Sequence, residues 1–422
     1  MAVTSARGMR DFLPRDKQRR DAILEVITQT YHRHGFDSIE TPALEDRERL
    51  HSGLGGDNEK LSFQVLKRGL SSEDIAATNS SEDLSDLGLR FDLTVPLARF
   101  YASHHGALPP VFRSLHVGPV WRAERPQKGR YRQFVQCDID ILGQGETSAE
   151  VEIMLATADV LDRLGLEGWS FRVNDRRLLL ELLRAAGIAP ADHTTALIIL
   201  DKLDKIGADA VLAELEQALP AGFSTEVLRP VLSGATPGFN PEDIAAVMGS
   251  GESATAAAQE LCSWVTVVES IRGAGEFVFD PTLVRGMGYY TASIMEVSHP
   301  DLGISLGGGG RYDGMIGRFL GTEVPAVGFS LGFERLVEVV DAPEGSNLDR
   351  VALVYDAQAE LEHVVKIKMQ LVSTGHTVRL VEASKNRRAL YERLAGDGFT
   401  RVAQVSEATS DAEALSWREL GA

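Results

Sequence analysis

The chain has 422 residues, of which 44% are hydrophobic and 25% charged, so it can bury several cores and is not intrinsically disordered. Its 61 acidic and 43 basic residues give a net charge of −18, which argues against a general basic coat for nucleic acid but permits a local basic face. Only two cysteines are present, which excludes a disulfide scaffold and a cysteine-only zinc site. No apolar run is long enough to span a membrane, and residues 1–10 lack the apolar core of a signal peptide, so we expect a cytoplasmic enzyme.

Helical and strand patterns follow one another in the N-terminal part. Apolar side chains at helical spacing predict an amphipathic helix over residues 16–34, which Gly35 would end in a left-handed conformation. Residues 36–42 predict a strand that Pro42 closes. Residues 71–88 are rich in Ser, Asp, Glu and Asn, and they predict an exposed, mobile loop.

The rest of the chain predicts a sheet interrupted by helices. Two strands, residues 117–121 and 134–142, flank a charged loop. Ala-, Leu- and Glu-rich sequence predicts a helical insertion, because strand-rich sequence resumes at Glu276. We therefore predict a catalytic domain over residues 1–340 with its helical insertion at about 190–275, a polar linker over 341–349, and a small α/β domain over 350–422.

Residues 89–96 contain an acid and a hydroxyl two positions apart. On a strand, Asp92 and Thr94 would share one face. A carboxylate beside a hydroxyl suits a ligand ammonium group. Taken alone, the segment fits an ordinary surface strand better.

Residues 122–134 form a cationic loop, and arginine in such a loop suits phosphates because it donates in pairs. The following strand places Gln136, Asp138 and Asp140 on one face. A solvated hairpin is the alternative, but it does not explain polar residues on a face that should be core. The loop's cations are Arg122, Arg125, Lys128, Arg130 and Arg132.

Three glycine-rich segments complete the pattern. Arg285 is followed by Gly286, which would let its guanidinium approach a ligand, and Tyr289 and Tyr290 would point to opposite strand faces. A buried ion pair with tyrosines in the core fits this segment about equally well. Four glycines over residues 307–310 favour close strand packing beneath a ligand. Arg335, in the first turns of a helix, could meet a phosphate, although such an arginine is usually solvated.

Together these segments resemble the class II aminoacyl-tRNA synthetases and, within them, the histidyl-tRNA synthetase family. The resemblance covers nearly the whole chain. It implies an α+β fold, with an antiparallel sheet flanked by helices, a helical insertion and a small C-terminal α/β anticodon-binding domain. The matching segments are residues 7–14, 35–42 (class motif 1, a dimer-interface element), 122–140 (motif 2), 328–336 (motif 3), and 285–290 with 309–314 (two histidine-specific signatures).

The resemblance also implies an amino-acid site. Asp92 and Gln136 would hold the α-amino group of histidine. Asp140 and Tyr290 would read the imidazole nitrogens, which discriminates strongly because an analogue would leave buried groups unpaired. The same pocket would be lined by Leu93, Thr94 and Tyr289.

The implied reaction is histidine–tRNA ligation, in which ATP activates histidine to an adenylate and the histidine then passes to the 3' end of tRNA(His). Arg122 would grip the ATP α-phosphate and Arg335 the γ-phosphate, with Mg²⁺ between phosphate oxygens. Arg285 would stabilise charge on the α-phosphate during attack by the histidine carboxylate. No metal ligand is expected from the protein alone. Adenine and the tRNA acceptor end would be covered by the loop 127–132 with Glu124, Arg130 and Arg132.

The sequence departs from the family pattern in two places. Gly288 stands where the family usually has an acid, and the C-terminal domain is shorter than usual. Two alternatives follow: a regulatory paralogue that partners the first enzyme of histidine biosynthesis, and a synthetase-like enzyme with a non-tRNA acceptor. The retained Arg122, Arg285 and Arg335 and the C-terminal domain argue against the regulator. Five cations of the C-terminal domain form either a basic face for the anticodon or ordinary solvated charge: Lys385, Arg387, Arg388, Arg393 and Arg401.

Overall fold

The structure is a computed structural model of the chain. It describes residues 3–51, 62–78, 80–126, 129–234, 238–285, 289–300, 303, 305–341 and 350–420. Gly288, two loop positions (Gln127 and Lys128) and residues 342–349 of the predicted linker lie outside the described residues.

The chain forms two compact units. The first consists of Met1–Arg10 with Glu25–Val340, and the second of Asp11–Leu24 with Asp341–Ala422. The sequence analysis placed residues 11–24 in the catalytic domain, whereas the contacts group them with the second unit. The division falls within the first helix, α1 (Pro14–Arg33), which ends just before Gly35. Gly35 has a φ of 83° and donates its amide to the His32 carbonyl at 3.0 Å, as the predicted left-handed helix end requires.

Eleven strands of the described part of the first unit build two sheets. They are β1 (Asp37–Ile39), β2 (Leu44–Asp46), β3 (Gln64–Leu66), β4 (Ser85–Leu89), β5 (Phe112–Trp121), β6 (Gln133–Leu142), β7 (Ser170–Asp175), β8 (Phe277–Phe279), β9 (Ser293–Ser298), β10 (Ser305–Arg311) and β11 (Ala326–Gly332).

The larger sheet has the strand order β1-β5-β6-β11-β10-β9-β7-β8. The six strands from β5 to β7 in this order are antiparallel, whereas the outermost pairs, β1 with β5 and β7 with β8, are parallel. The predicted α+β class is confirmed, with parallel edges that the sequence did not predict. Because strands distant in the chain become neighbours at β6, β11 and β10, this sheet brings motif 2 and motif 3 together.

The smaller sheet, ordered β2-β4-β3, contradicts the loop predicted over residues 71–88. This segment contains a short helix, a 3₁₀ turn over Ser81–Leu84, and β4. Two of the polar residues read as loop cap this helix: the Ser71 hydroxyl accepts from the Asp74 amide at 3.1 Å, and the Asp74 carboxylate accepts from the Ser71 amide at 2.8 Å.

Helices cover the larger sheet and fill the segment predicted as an insertion. Six described helices lie in the insertion: α7 (His193–Leu200), α8 (Leu203–Ile206), α9 (Ala208–Ala218), α10 (Thr225–Leu232), α11 (Pro241–Met248) and α12 (Glu252–Arg272). The other described helices of this part, besides α1, are α2 (Arg47–His51), α3 (Ser72–Ala77), α4 (Thr94–His104), α5 (Ser148–Arg163), α6 (Arg176–Ala185), α13 (Asp313–Leu320) and α14 (Phe333–Val339).

The second unit contains a four-stranded sheet with helices α15 and α16. The sheet order is β13-β12-β14-β15, parallel except for the last strand. Apolar side chains pack on both faces of β12, as its fully buried run of Val351, Ala352, Leu353 and Val354 indicates. The elements are β12 (Arg350–Tyr355), α15 (Leu361–Ser373), β13 (Thr377–Glu382), α16 (Arg387–Gly396), β14 (Arg401–Val405) and β15 (Trp417–Glu419). None of the described helices is both long and apolar enough to cross a membrane.

Candidate active site

A cavity of about 720 Å³ lies in the first unit, over the strands β6, β11, β10 and β9 of the larger sheet. Its size suits ligands larger than a single amino acid. Polar and charged side chains from several separate segments line it, among them Asp92, Thr94, Arg122, Glu124, Arg130, Gln136, Asp138, Asp140, Arg172, Asp201, Lys205, Arg285, Tyr289, Tyr290, Glu296, Tyr312, Ser330 and Arg335.

Three acids and an amide form one group of the cavity's lining residues. Strand β6 directs alternate side chains to the same face, so Gln136, Asp138 and Asp140 all line the cavity, as the period of two predicted. Asp92 joins them from the segment before α4. We call these four residues the acid slot.

Asp92 does not lie on a strand, so the predicted geometry of this segment was wrong. Asp92 stands in a bend, and Thr94 is the first residue of α4. The Asp92 carboxylate accepts a hydrogen bond from the Val95 amide at 3.1 Å, which ties it to the first turn of the helix. Thr94 still reaches the cavity, but Leu93 is buried in the core and is not part of the cavity lining.

Burial sets the protonation of the slot. It raises the pKa of Asp92 to about 6, against the opposing effects of the Val95 amide and the Arg122 charge. It raises the pKa of Asp140 to about 7, although the Tyr312 hydroxyl donates to that carboxylate at 2.6 Å. The pKa of Asp138 is raised by burial and by the neighbouring charge of Asp140. A bound cation would favour the ionised forms.

Two tyrosines stand beside the slot, and their arrangement differs from the prediction. Tyr289 and Tyr290 were expected on opposite faces of a strand, but they precede β9 in a turn, and both line the cavity. Their ring centroids are 4.6 Å apart, and Tyr312 lies 6.4 Å from Tyr289. Burial raises the pKa of all three hydroxyls, so they remain neutral donors at physiological pH.

The glycines beneath the slot are required by close packing. A Cβ on Gly328, which pairs with Asp140 across β11 and β6, would lie 1.9 Å from the Asp140 Oδ1. A Cβ on Gly310 would lie 2.4 Å from the Ser293 carbonyl and 3.1 Å from the Tyr290 ring. The predicted role of the glycine run, close strand packing beneath a ligand site, has this physical basis.

The cavity also has basic lining residues. Arg122, Arg130, Arg285 and Arg335, which we call the cationic rim, come from three distant segments and all line the cavity. The pKa of Arg335 is lowered by burial and by the other three charges of the rim, as expected when guanidinium groups converge. Converging guanidinium groups have the charge and the paired donors that a polyanionic ligand requires.

Each of three rim arginines is held by a protein oxygen. Arg122 donates its Nε to the Phe91 carbonyl at 2.9 Å, and Arg335 donates to the Ser305 carbonyl. Arg285 forms an ion pair with Glu296, whose carboxylate also pairs with Arg172 at 3.0 Å. The Arg285 side chain is 36% exposed, so a ligand can reach it.

The motif 2 loop is only partly directed at the cavity. Glu124 and Arg130 line it, with 3.8 Å between their charged atoms. Arg132, predicted as a site residue, instead donates its Nε to the Glu124 carbonyl at 3.0 Å and does not line the cavity. Arg132 therefore stabilises the backbone of the loop at Glu124.

Several lining residues were not predicted as site residues. Tyr312 lies within segment 309–314, one of the two histidine-specific signatures, so the sequence offered a reason to predict it as a site residue. Ser330 faces Asp138 across β11 and β6. Asp201 and Lys205 reach the cavity from the insertion, between α7 and the end of α8, which no pattern in the sequence indicated.

Solved structures share this fold and define its class. The chain superposes on a histidyl-tRNA synthetase from Nostoc sp. PCC 7120 with a TM-score of 0.77 and 23% identity, covering 100% of this chain and 97% of the other. An ATP phosphoribosyltransferase regulatory subunit/histidyl-tRNA synthetase from Bacillus halodurans C matches with a TM-score of 0.77 and 22% identity, over 95% and 97% of the two chains. The fold is that of the class II aminoacyl-tRNA synthetases.

Sequence comparison identifies the family. A family model described as histidyl-tRNA synthetase matches residues 8–336. A histidine–tRNA ligase from Leifsonia xyli subsp. xyli (strain CTCB07) is 53% identical over 99% of this chain and 98% of its own. A probable histidine–tRNA ligase from Tropheryma whipplei (strain Twist) is 43% identical over 94% and 95%. The chain therefore belongs to the histidyl-tRNA synthetase family.

Proposed function

We propose that this chain is a histidine–tRNA ligase that activates histidine with ATP, forming histidyl-adenylate and diphosphate, and then transfers histidine to the 3' end of tRNA(His). One observation carries the proposal: an acid slot and four convergent guanidinium groups share one cavity. The slot matches a cationic amino acid, and the rim matches a triphosphate. The full-length similarity to histidine–tRNA ligases supports the same activity.

The slot residues would divide between the two ends of histidine. Asp92 and Gln136 hold the α-ammonium, with Thr94 beside them. Asp140 and Tyr290 contact the imidazole nitrogens, and the Tyr312 hydroxyl, 2.6 Å from the Asp140 carboxylate, orients that acid. An amino acid without a ring donor and acceptor would leave these buried groups unpaired, which is the basis of selection.

The rim residues would position ATP for an in-line displacement. Arg122 binds the α-phosphate and Arg335 the γ-phosphate. The histidine carboxylate attacks the α-phosphorus, the bond to the bridging oxygen breaks, and diphosphate leaves with the electron pair. Arg285 stabilises the charge that develops on the α-phosphate oxygens, so no protein nucleophile is needed.

The resemblance also implies Mg²⁺. Among the residues that the structure describes, no group of three or more acidic, His or Cys side chains forms a metal cage. As the resemblance implies, we propose that the ion is held by the ATP phosphate oxygens. When bound there, it would neutralise phosphate charge that the rim leaves uncompensated.

In the second step a terminal ribose hydroxyl of tRNA(His) attacks the activated carbonyl carbon, and AMP leaves. Glu124 and Arg130 of the motif 2 loop, which line the cavity, would contact the acceptor end, and the second unit is the proposed anticodon-binding domain. We also propose a homodimer, because motif 1 is a dimer-interface element in the family. We propose that it is cytoplasmic. Exposed Leu44, Leu66 and Leu87 on the smaller sheet are consistent with a further contact.

The test has two stages. Purified protein should catalyse histidine-dependent exchange between ATP and labelled diphosphate, and it should charge tRNA(His) transcripts with histidine. Exchange with another amino acid only would contradict the assignment of the slot. Exchange with histidine but no charging of tRNA would contradict the assignment of tRNA(His) as the acceptor. Light scattering of the same preparation tests the dimer.

A further inference from the structure

The acid slot contains a carboxylate that the assignments above leave without a role. Asp138 lies between Gln136 and Asp140 on β6, about 7 Å from each along the strand. It is only 4% exposed and lines the cavity. Its Oδ1 is buried and has no hydrogen-bond partner among the described residues. A buried carboxylate oxygen without a donor is costly, so its retention calls for a ligand.

The strands on either side do not neutralise this carboxylate. His116 on β5 pairs directly with Asp138, but burial and the Arg90 charge lower the pKa of His116 to about 3, so the imidazole is neutral. Ser330 on β11, the pairing partner on the other side, contributes only a hydroxyl. Both Asp140 and Asp92 raise the pKa of Asp138 by repulsion, and Arg122 opposes them weakly.

A hydrogen-bond chain links Asp138 to the amino-group end of the slot. The Gln136 amide nitrogen donates to the Ser330 hydroxyl at 2.9 Å. The Ser330 hydroxyl in turn hydrogen-bonds to the Asp138 carboxylate, which lowers the pKa of that acid. With its nitrogen engaged, Gln136 presents its Oε1 as an acceptor, and that atom is also buried and unpartnered within the described structure.

Three acceptor side chains, Asp92, Gln136 and Asp138, line the same part of the chain's cavity surface, and two of them carry an oxygen without a partner among the described residues. A primary ammonium has three N–H donors and no acceptor, and it would satisfy all three while supplying the missing positive charge. We infer that Asp138 is a further specificity-determining residue, which receives the third N–H of the substrate α-ammonium. This inference rests on the proposed function and adds a contact that the family resemblance did not supply.

The experiment compares two inhibitors of histidine-dependent exchange. Histidinol has the ammonium and the imidazole, whereas 3-(imidazol-4-yl)propionate has the imidazole but no amine. For Asp138→Asn we expect the inhibition constant of histidinol to rise at least about tenfold, as for the loss of a charge-assisted hydrogen bond, with that of the propionate changing less than about twofold. The KM for ATP should not change. Asp209→Asn, at an aspartate of the insertion whose side chain is 89% exposed, is the matched control.

Each other outcome overturns the inference. Equal weakening of both inhibitors would mean that Asp138 serves the imidazole or the general shape of the slot. No weakening of either would mean that the carboxylate does not reach the ligand. Thermal unfolding checks the fold: Asn removes repulsion among three buried acids, so Tm should not fall. If this variant folds poorly, Asp138→Ser gives the same comparison. Failure of the unmodified protein to exchange with histidine would instead contradict the proposed function itself.

Discussion

The acid slot and the cationic rim line the same cavity, and the protein holds their side chains in different ways. In the acid slot, three side chains project from the single strand β6 and Asp92 from the segment before α4, and two acceptor atoms remain unpartnered within the described structure. In the cationic rim, Arg122, Arg285 and Arg335 are each bound to a protein oxygen. We therefore interpret the slot as a site for a small cation, and the rim as a set of cations whose present contacts a phosphate can replace.

This difference suggests that histidine binding and the rate of the chemical step depend on different parts of the cavity. The geometry of the slot depends on backbone spacing, which is rigid and tolerates little change. The rim depends on flexible guanidinium groups whose strongest interactions would form with a charged ligand. Substitutions in the rim should thus act on the chemical step, and substitutions in the slot should act on histidine binding.

The largest effect is expected from Arg285→Ala. Removing a cation that stabilises the developing phosphate charge should lower the rate of histidine-dependent ATP–diphosphate exchange by about 10²–10³-fold. Histidine binding, measured by calorimetry without ATP, should change little, because Arg285 is paired with Glu296 and lies outside the acid slot.

The control for this prediction is Arg229→Ala, which removes an exposed arginine of the insertion that pairs with Asp209. Its exchange rate should match that of the unmodified protein. An Arg285→Ala variant with near-normal exchange, or one that loses histidine binding to the same degree as rate, would show that rim and slot do not divide the work in this way.

Gly328→Ala should break the slot and leave the rim intact. The added Cβ would lie 1.9 Å from the Asp140 Oδ1, and the strand backbone cannot move away without disturbing β6. We expect a loss of about 1–3 kcal/mol in unfolding free energy and a comparable loss in histidine binding. Gly314→Ala is the matched control, because no atom lies within 4 Å of its added Cβ. Equal behaviour of the two variants would contradict the close packing.

The pH dependence of stability should distinguish the buried acids of the slot. Burial raises the pKa of Asp140 to about 7, above its value of 3.8 in a solvated carboxyl. Between these values the folded chain binds more protons than the unfolded chain, so this group's contribution to stability falls as the pH rises towards 7. The slope is at most about 1.4 kcal/mol per pH unit.

Urea unfolding of the ligand-free protein at pH 5.5 and at pH 8 measures this dependence. Asp140→Asn removes the titrating group, so its free energy of unfolding should decrease less over the same interval, and the difference from the unmodified protein isolates Asp140. Histidinol should stabilise the unmodified protein more at pH 8 than at pH 5.5, because the ionised carboxylates attract its ammonium. Parallel profiles for the two proteins would contradict the raised pKa.

The sequence predicted the residues of the slot and the rim better than it predicted the backbone structure that positions them. The period of two in β6 was sufficient to place Gln136, Asp138 and Asp140 on one face, because alternation is local. The convergence of Arg122, Arg285 and Arg335 came from the family resemblance, since no local pattern relates segments that lie far apart in the chain.

The errors have local physical causes. Asp92 was assigned to a strand, although its hydrogen bond to the Val95 amide starts a helix. The tyrosine pair was assigned strand alternation where the backbone turns. Segment 71–88 was assigned to a loop because capping residues and loop residues have the same composition. The placement of Asp201 and Lys205 in the cavity depends on how the insertion packs, which the sequence pattern does not contain.

The smallest effect is expected in the second unit, whose cations contrast with the rim. Arg388 is 90% exposed, and within the described residues its ion pair is with Glu392 on the same helix. If this face contacts the tRNA backbone, Arg388→Ala should raise the KM for tRNA about two- to fivefold at low salt, and the effect should shrink as salt increases. Diphosphate exchange, which needs no tRNA, should not change. Lys366→Ala removes a comparable exposed cation, paired with Glu362 on α15, and equal effects of the two substitutions would contradict a localised basic face.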